Sequence, residues 1–187
     1  QSVIVPEGET LTVAAGTRII FWTKDQDENG VGDLEMTVEG RLVVEGTADN
    51  PVLFIADDPG FGRGAWGGLT IRGTGQDRID HTHFALAGVS VKANDVIIRD
   101  STFMGAPGTA LMVDGARSFL GERVRAFDNT AGGIEIIRSD TSVLRDASSY
   151  DNGTHGIRLS TLDRFQLLGP LRLSRNGVDG LLADEAP

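Results

Sequence analysis

The sequence predicts an all-β protein: a single-stranded right-handed parallel β-helix, a solenoid of about seven coils with about three short strands in each. Three observations predict it. A unit opened by glycine recurs through the C-terminal half, in Gly88-Val89-Ser90-Val91, Gly133-Ile134-Glu135-Ile136, Gly156-Ile157-Arg158-Leu159 and Gly180-Leu181-Leu182, with a glycine-less version at Thr109-Ala110-Leu111-Met112. The steps of 21, 24, 23 and 24 residues imply stacked supersecondary coils. Within each unit a second register places Phe103-Met104-Gly105, Phe127-Asp128-Asn129, Tyr150-Asp151-Asn152 and Ser174-Arg175-Asn176 at matching positions. Finally, each unit holds short apolar runs separated by Gly, Asn, Asp or Ser, the residues that turns select, and no stretch keeps a helical period over three turns.

In chain order, Val3 to Pro6, Leu11 to Val13 and Thr17 to Phe21 make the first coil, with Gly8 and Gly16 at corners. Leu34 to Val38, Arg41 to Val44 and Val52 to Ile55 make the second. A glycine-rich loop over 59–64 leads into Trp66-Gly67-Gly68-Leu69-Thr70-Ile71, which starts the third. The later coils follow the pattern of the Gly133 unit: Ile134-Glu135-Ile136, Ser142-Val143-Leu144, then 147–150 and the turn Asp151-Asn152-Gly153. Coils stacked at ~4.8 Å bring equivalent residues into columns. Val89, Ala110, Ile134, Ile157 and Leu181 are expected inside, as are Val91, Met112, Ile136 and Leu159. Phe84, Phe103, Phe127 and Tyr150 are expected to form an aromatic column. Asn129, Asn152 and Asn176 should stack at one corner, where amides cap backbone groups that the turn leaves unpaired.

The phrases from Val43 to Val52 and from Trp66 to Leu69 resemble bacterial secreted and surface-anchored right-handed β-helix repeat proteins of the pectate-lyase-like superfold, and the resemblance covers nearly the whole chain. It implies an extracellular or cell-surface location. The group mixes adhesins, polysaccharide-acting enzymes and other modules, so the resemblance specifies fold more than function.

Composition narrows the partners. With 17 basic against 27 acidic residues in 187, the formal charge is −10. A nucleic-acid surface needs clustered Lys and Arg, so cations and neutral polymers are the better expectation. No run reaches the ~18 apolar residues of a membrane helix, and the absence of Cys excludes disulfides and thiolate sites.

The sharpest chemical signal is Asp25-Gln26-Asp27-Glu28-Asn29-Gly30-Val31-Gly32-Asp33, inside an acidic insertion at 24–33 of an otherwise single domain over 1–187. Oxygen ligands at Asp25, Asp27, Asn29 and Asp33, a carbonyl at Val31 and a glycine at the sixth position are how a loop wraps Ca²⁺. The loop resembles the calcium loops of EF-hands and thrombospondin type-three repeats. It departs at the twelfth position, where Met36 stands in place of an acid. Strand alternation turns Leu34, Met36 and Val38 inward and Glu35 outward, which offers Glu35 as the closing ligand. The plain alternative is a solvated acidic turn.

Pectate lyases, polygalacturonases and mannuronan epimerases belong to the superfold this sequence resembles, which would place any catalytic groups at outward positions. The first-strand outward ladder reads Ser90, Leu111, Glu135, Arg158, Leu182, which offers one acid facing one base, an ion pair rather than the paired carboxylates of glycosidic cleavage. Arg99, Arg123 and Arg145 align at steps of 24 and 22, which a charged exterior explains without catalysis. Asp140 and Asp163 align at a turn. His81 and His83 share a strand face but lack a third zinc ligand. His155, between glycines, lacks the acidic motifs that accompany such a histidine in polygalacturonases. The expectation is therefore a non-catalytic module for adhesion, polysaccharide contact or assembly, stabilised by calcium. The alternative is a polysaccharide lyase or epimerase, or a fragment of one. At Asp184-Glu185-Ala186-Pro187 no amphipathic helix covers the last coil, which predicts a module of a longer chain or self-association through that end.

Overall fold

The computed structural model describes residues 2–184, so the chain end at 185–187 on which the capping expectation rests lies outside the described residues. Every connection turns the same way through three sheets. β1 (Val3–Val5), β2 (Thr10–Ala14) and β3 (Arg18–Phe21) make rung one; β4 (Glu35–Val38), β5 (Arg41–Glu45) and β6 (Val52–Ala56) make rung two. β7 (Gly68–Ile71), β8 (Gln76–Asp80) and β9 (Thr82–Ala85) form rung three; β10 (Val89–Val91), β11 (Asp95–Arg99) and β12 (Thr102–Met104) form rung four. Rung five is β13 (Leu111–Asp114), β14 (Ser118–Glu122) and β15 (Arg125–Phe127); rung six is β16 (Ile134–Ile137), β17 (Thr141–Arg145) and β18 (Ser148–Tyr150). β19 (Ile157–Ser160), β20 (Arg164–Leu168) and β21 (Arg172–Ser174) complete rung seven, and β22 (Leu181–Asp184) opens an eighth.

The strands stack in parallel, with the order β1-β4-β7-β10-β13-β16-β19-β22 in the first sheet, β2-β5-β8-β11-β14-β17-β20 in the second and β3-β6-β9-β12-β15-β18-β21 in the third. This is the right-handed parallel β-helix that the repeats predict. Alternation puts one residue in two into the core. Val38, Leu42, Val44, Ile71, Val91, Val113, Ile136 and Leu144 are all fully buried. Trp66, from the third connection, lies flat on Phe21 with centroids 4.1 Å apart and donates its indole N–H to the Ala85 carbonyl at 2.8 Å.

Five expected columns need correction. Val89 pairs with Leu111, and Leu111 with Ile134, so Ala110 takes the glycine slot while Leu111 and Val113 point inward. Met112, not Leu111, stands outward between Ser90 and Glu135. Anchoring that coil on Thr109 slips the register by one, which exchanges the two faces of a strand. The aromatic column divides for the same reason. Phe54, Phe84 and Phe103 stack inside with centroids 4.7 and 5.0 Å apart, whereas Phe127 pairs with Met104 and stacks on Tyr150 on the outer face. On the second sheet Arg99 stands beside Glu122 and Glu122 beside Arg145, so Arg123 is not in line with those arginines. It sits one residue further, at the corner.

That corner explains the pattern. His81, Asp100, Arg123 and Asp146 all have positive φ, as do Asp128, Asp151 and Arg175 at the next corner. The left-handed conformation costs an L-residue about 1–2 kcal/mol, and each carries a side chain outward where charges meet. Arg123 grips Asp100 through two bonds of 2.6 and 2.8 Å, and Arg175 grips Asp151 at 2.6 and 2.7 Å. These contacts hold the Asp100 and Asp151 carboxyls below the usual range. His81 is therefore a corner residue and does not share a regular strand face with His83. Asp140 and Asp163 do stack at a turn. Glu135 stands in register with Arg158, but Arg158 reaches Asp184 instead, at 3.4 Å.

The asparagine column stands as expected. Asn152 accepts from the Asn129 amide at 2.8 Å and donates to Asn176 at 2.9 Å, while Asn129 caps the Ala106 N–H at 2.9 Å.

Candidate functional site

The acidic insertion leaves β3 at Trp22 and returns at β4. Its neck is closed by backbone: Asp33 N–H donates to the Lys24 carbonyl at 2.6 Å, and Gly32 N–H to the Gly64 carbonyl at 2.7 Å. A side chain at Gly32 would meet the Ala65 carbonyl at 2.4 Å, so only glycine lets the two loops close on each other. Inside the neck the chain folds around Asp25. Its carboxylate accepts from Asn29 N–H at 3.0 Å and from Gly30 N–H at 2.9 Å, and Asp33 accepts from Gln26 N–H at 2.9 Å.

Three of the expected ligands come together: carboxylate oxygens of Asp25, Asp27 and Asp33 lie within 4.8 Å of one another. Three carboxylates this close can hold a cation between them, and hard oxygen donors suit Ca²⁺. Asn29 is differently used. Its carbonyl oxygen accepts from Val31 N–H at 2.8 Å, and its amide donates to Asp27 at 2.8 Å, so it shapes the turn. Val31 is half-buried at the same turn. Glu35 is exposed on β4, opposite Gly68 and outside the carboxylate cluster. Three carboxylates therefore fit a cation, and the closing ligand that alternation suggested does not join them.

A second feature lies on the outer face of the third sheet. A groove of about 580 Å³ is lined by His81, His83, Asp100, Arg123, Arg125 and Arg172, among others. A neighbouring hollow of about 310 Å³ shares Arg125, Ser148 and Arg172 and adds Tyr150 and Arg175. Asp100 is neutralised by Arg123, and His81 Nε2 lies 3.7 Å from Asp100. Burial, and then the nearby Arg125 guanidinium, hold the His83 imidazole below its usual pKa, so it is neutral at physiological pH. Sequence reading noticed His81 and His83 but missed this groove, because its side chains are contributed one or two at a time by six rungs. His155, by contrast, faces Asp179 at 3.4 Å, away from the groove residues.

Together the rungs and these two features define a β-solenoid that carries its chemistry on loops and outer faces. The chain belongs to the pectate-lyase-like β-helix domain family, whose model matches residues 1–94. Among solved structures, a crystal structure of pectate lyase Pel9A is similar at a TM-score of 0.45 and 14% identity, covering 95% of this chain and 46% of that one. This chain thus spans less than half of that enzyme's length. No curated protein sequence matches it. No helix among the described residues is long and apolar enough to cross a membrane.

Proposed function

We propose that the protein is a non-catalytic extracellular or cell-surface β-helix module that contacts polysaccharide and is stiffened by calcium held in the 24–33 loop. The observation that carries the calcium part is the convergence of Asp25, Asp27 and Asp33 inside a loop whose neck is closed by backbone bonds. Family membership and the groove on the third sheet support the polysaccharide part. A cation bound only by the folded state stabilises it by mass action, about 2.7 kcal/mol at a hundredfold excess over Kd. For a chain of this size that is a rise in Tm of roughly 5–10 °C. The expected result is a saturable calorimetric signal for Ca²⁺ with that rise, both absent in Asp27→Ala. Identical melting curves in calcium and in chelator would leave the loop as a solvated turn.

A second reading, a polysaccharide lyase or epimerase or a fragment of one, is favoured by one observation. The groove brings Arg125, the neutral His83 and Asp146 to one face, a set that includes both acids and bases. Incubation with uronate polymers, followed by ultraviolet absorbance of unsaturated products and by epimer analysis, separates the two readings.

A further inference from the structure

The second sheet has an outer face that neither the acidic loop nor the groove uses. Its central outward column runs Val43, Arg78, Ile97, Leu120, Val143 and Gln166. Ile97, Leu120 and Val143 are half-buried on three successive rungs, an apolar stripe along the solenoid axis. Beside that stripe a charged column runs Glu45, Asp80, Arg99, Glu122 and Arg145 from rung two to rung six. Within the chain Arg78 bridges Asp80, and Arg99 reaches Glu122 at 3.3 Å. Arg145 is exposed and closes no ion pair among the described residues. The column on the other side of the stripe is uncharged at Ser118 and Thr141, with Arg41 and Arg164 at its two ends.

The charge of this face is unlike that of the chain. Over rungs two to seven its outward positions hold five arginines and four carboxylates, against 17 basic and 27 acidic residues in the whole sequence. Two copies can therefore approach here without the repulsion that the rest of an acidic surface imposes. The order of the charges is also self-complementary. Reversed about the midpoint between rungs four and five, acids exchange with bases. A two-fold axis at that point, parallel to the strands, sets Asp80 opposite the partner's Arg145, Arg99 opposite the partner's Glu122 and Ile97 opposite the partner's Leu120. Moving the axis onto rung four sets Arg99 against itself and Asp80 against Glu122. Moving it onto rung five sets Glu122 against itself and Arg99 against Arg145. Turning it along the solenoid sets Arg78 against itself in the central column. A hollow of about 260 Å³, lined by Asp80, Arg99, Arg78 and Thr47 among others, opens where the partner's Arg145 would enter.

We propose that the outer face of the second sheet docks a second copy of this chain, side by side and antiparallel, about a two-fold axis between rungs four and five. Six facing rungs at ~4.8 Å and five residues at ~3.3 Å make a patch of roughly 29 by 16 Å. That is smaller than the ~800 Å² per partner of a standard interface, so the dimer is reversible. At the two ends of the patch Arg41 meets the partner's Arg164, and these like charges oppose the association.

The test is sedimentation equilibrium of the full chain at physiological salt, over a hundredfold range of concentration reaching about 0.5 mM. Wild type is compared with Arg145→Glu and Arg164→Glu. Both substitutions make the same change of charge, on neighbouring rungs of one sheet. In the dimer they act oppositely: Arg145→Glu sets an acid against the partner's Asp80, and Arg164→Glu sets one against the partner's Arg41. Two-fold symmetry counts each contact twice. The expected result is a reversible dimer whose Kd rises about tenfold or more in Arg145→Glu and falls about threefold or more in Arg164→Glu. The melting temperature at monomer concentration should match wild type in both. The proposal is overturned if wild type stays monomeric throughout, or if the two substitutions move the Kd in the same direction. A dimer that neither substitution affects also overturns it and assigns the contact to another surface, such as the ends of the solenoid.

Discussion

Replacing Asn152 with alanine is expected to destabilise the protein by about 3–5 kcal/mol, because the change strands several buried groups at once. Asn152 is the middle of its column. Its carbonyl oxygen serves Asn129, and its amide reaches Asn176 at 2.9 Å, Ser149 Oγ at 3.0 Å and the Ala126 carbonyl at 3.3 Å. Alanine leaves the Asn129 amide and backbone N–H without the oxygen both donate to, and leaves the Asn176 oxygen only the backbone N–H of residue 152. Losing a buried partner costs about 1–3 kcal/mol per group, more than the bond itself contributes. Asn176→Ala, at the more open end of the column, should cost clearly less. Reversible denaturant unfolding measures both, and an Asn152→Ala variant within 1 kcal/mol of wild type would show that the column is decorative.

The second large effect is a dependence of stability on pH, centred on Asp77. This residue points into the core on β8 and is fully buried. Its place has a local cause. The β5–β8 register begins only at Val43, which leaves the Leu42 N–H without a strand partner, and Asp77 accepts it at 2.7 Å. Its second oxygen has no hydrogen-bond partner among the described residues. Burial, only partly opposed by the Leu42 bond and by Arg41, raises the Asp77 pKa to about 6. A carboxyl whose pKa is raised on folding adds stability while it stays protonated, so the contribution is complete below about pH 4 and is lost as pH rises through 6. A raise of about 2 units corresponds to about 3 kcal/mol. Asp100, Glu122 and Asp151, held low by arginines, act with the opposite sign and only below the usual carboxylate range. His83, held below its usual pKa, opposes Asp77 in this window, so the Asp77 contribution is the part of the pH dependence that separates wild type from a variant without the charge. Asp77→Asn keeps the bond to Leu42, removes the charge and should abolish the fall in Tm that Asp77 causes as pH rises from 4.5 to 7.5. An equal slope in wild type and variant over that window would refute the assignment.

Much of the fold was legible because a solenoid writes its period into the sequence. Glycine slots, apolar triplets and the Asn129–Asn152–Asn176 spacing each gave the coil length independently. What failed was register wherever a slot lost its marker. Ala110 in place of glycine shifted one coil, and Phe127 in an outward slot looked like the continuation of Phe84 and Phe103. The groove on the third sheet stayed hidden for a related reason: its side chains come from six rungs, and the longer connections of the early rungs break the spacing that joins the later ones. Asp77 left no signal in the sequence, because Gln76 to Asp80 reads as an ordinary half-exposed strand. For the acidic loop, local spacing was sufficient to bring Asp25, Asp27 and Asp33 together. It was insufficient for Glu35, whose position is decided by the strand that follows.

The short register between β5 and β8 has a mechanical consequence. A solenoid pulled along its axis loads its rungs in series, and at each junction between the seven complete rungs three strand pairs share the force. The junction between rungs two and three has only Val43, Val44 and Glu45 paired in its second sheet, with the side chain of Asp77 completing the edge. Among the complete rungs that junction is the expected place of first rupture under tension. Its patch is a carboxyl whose pKa burial raises to about 6, so the load this junction bears is expected to grow as pH falls through 6.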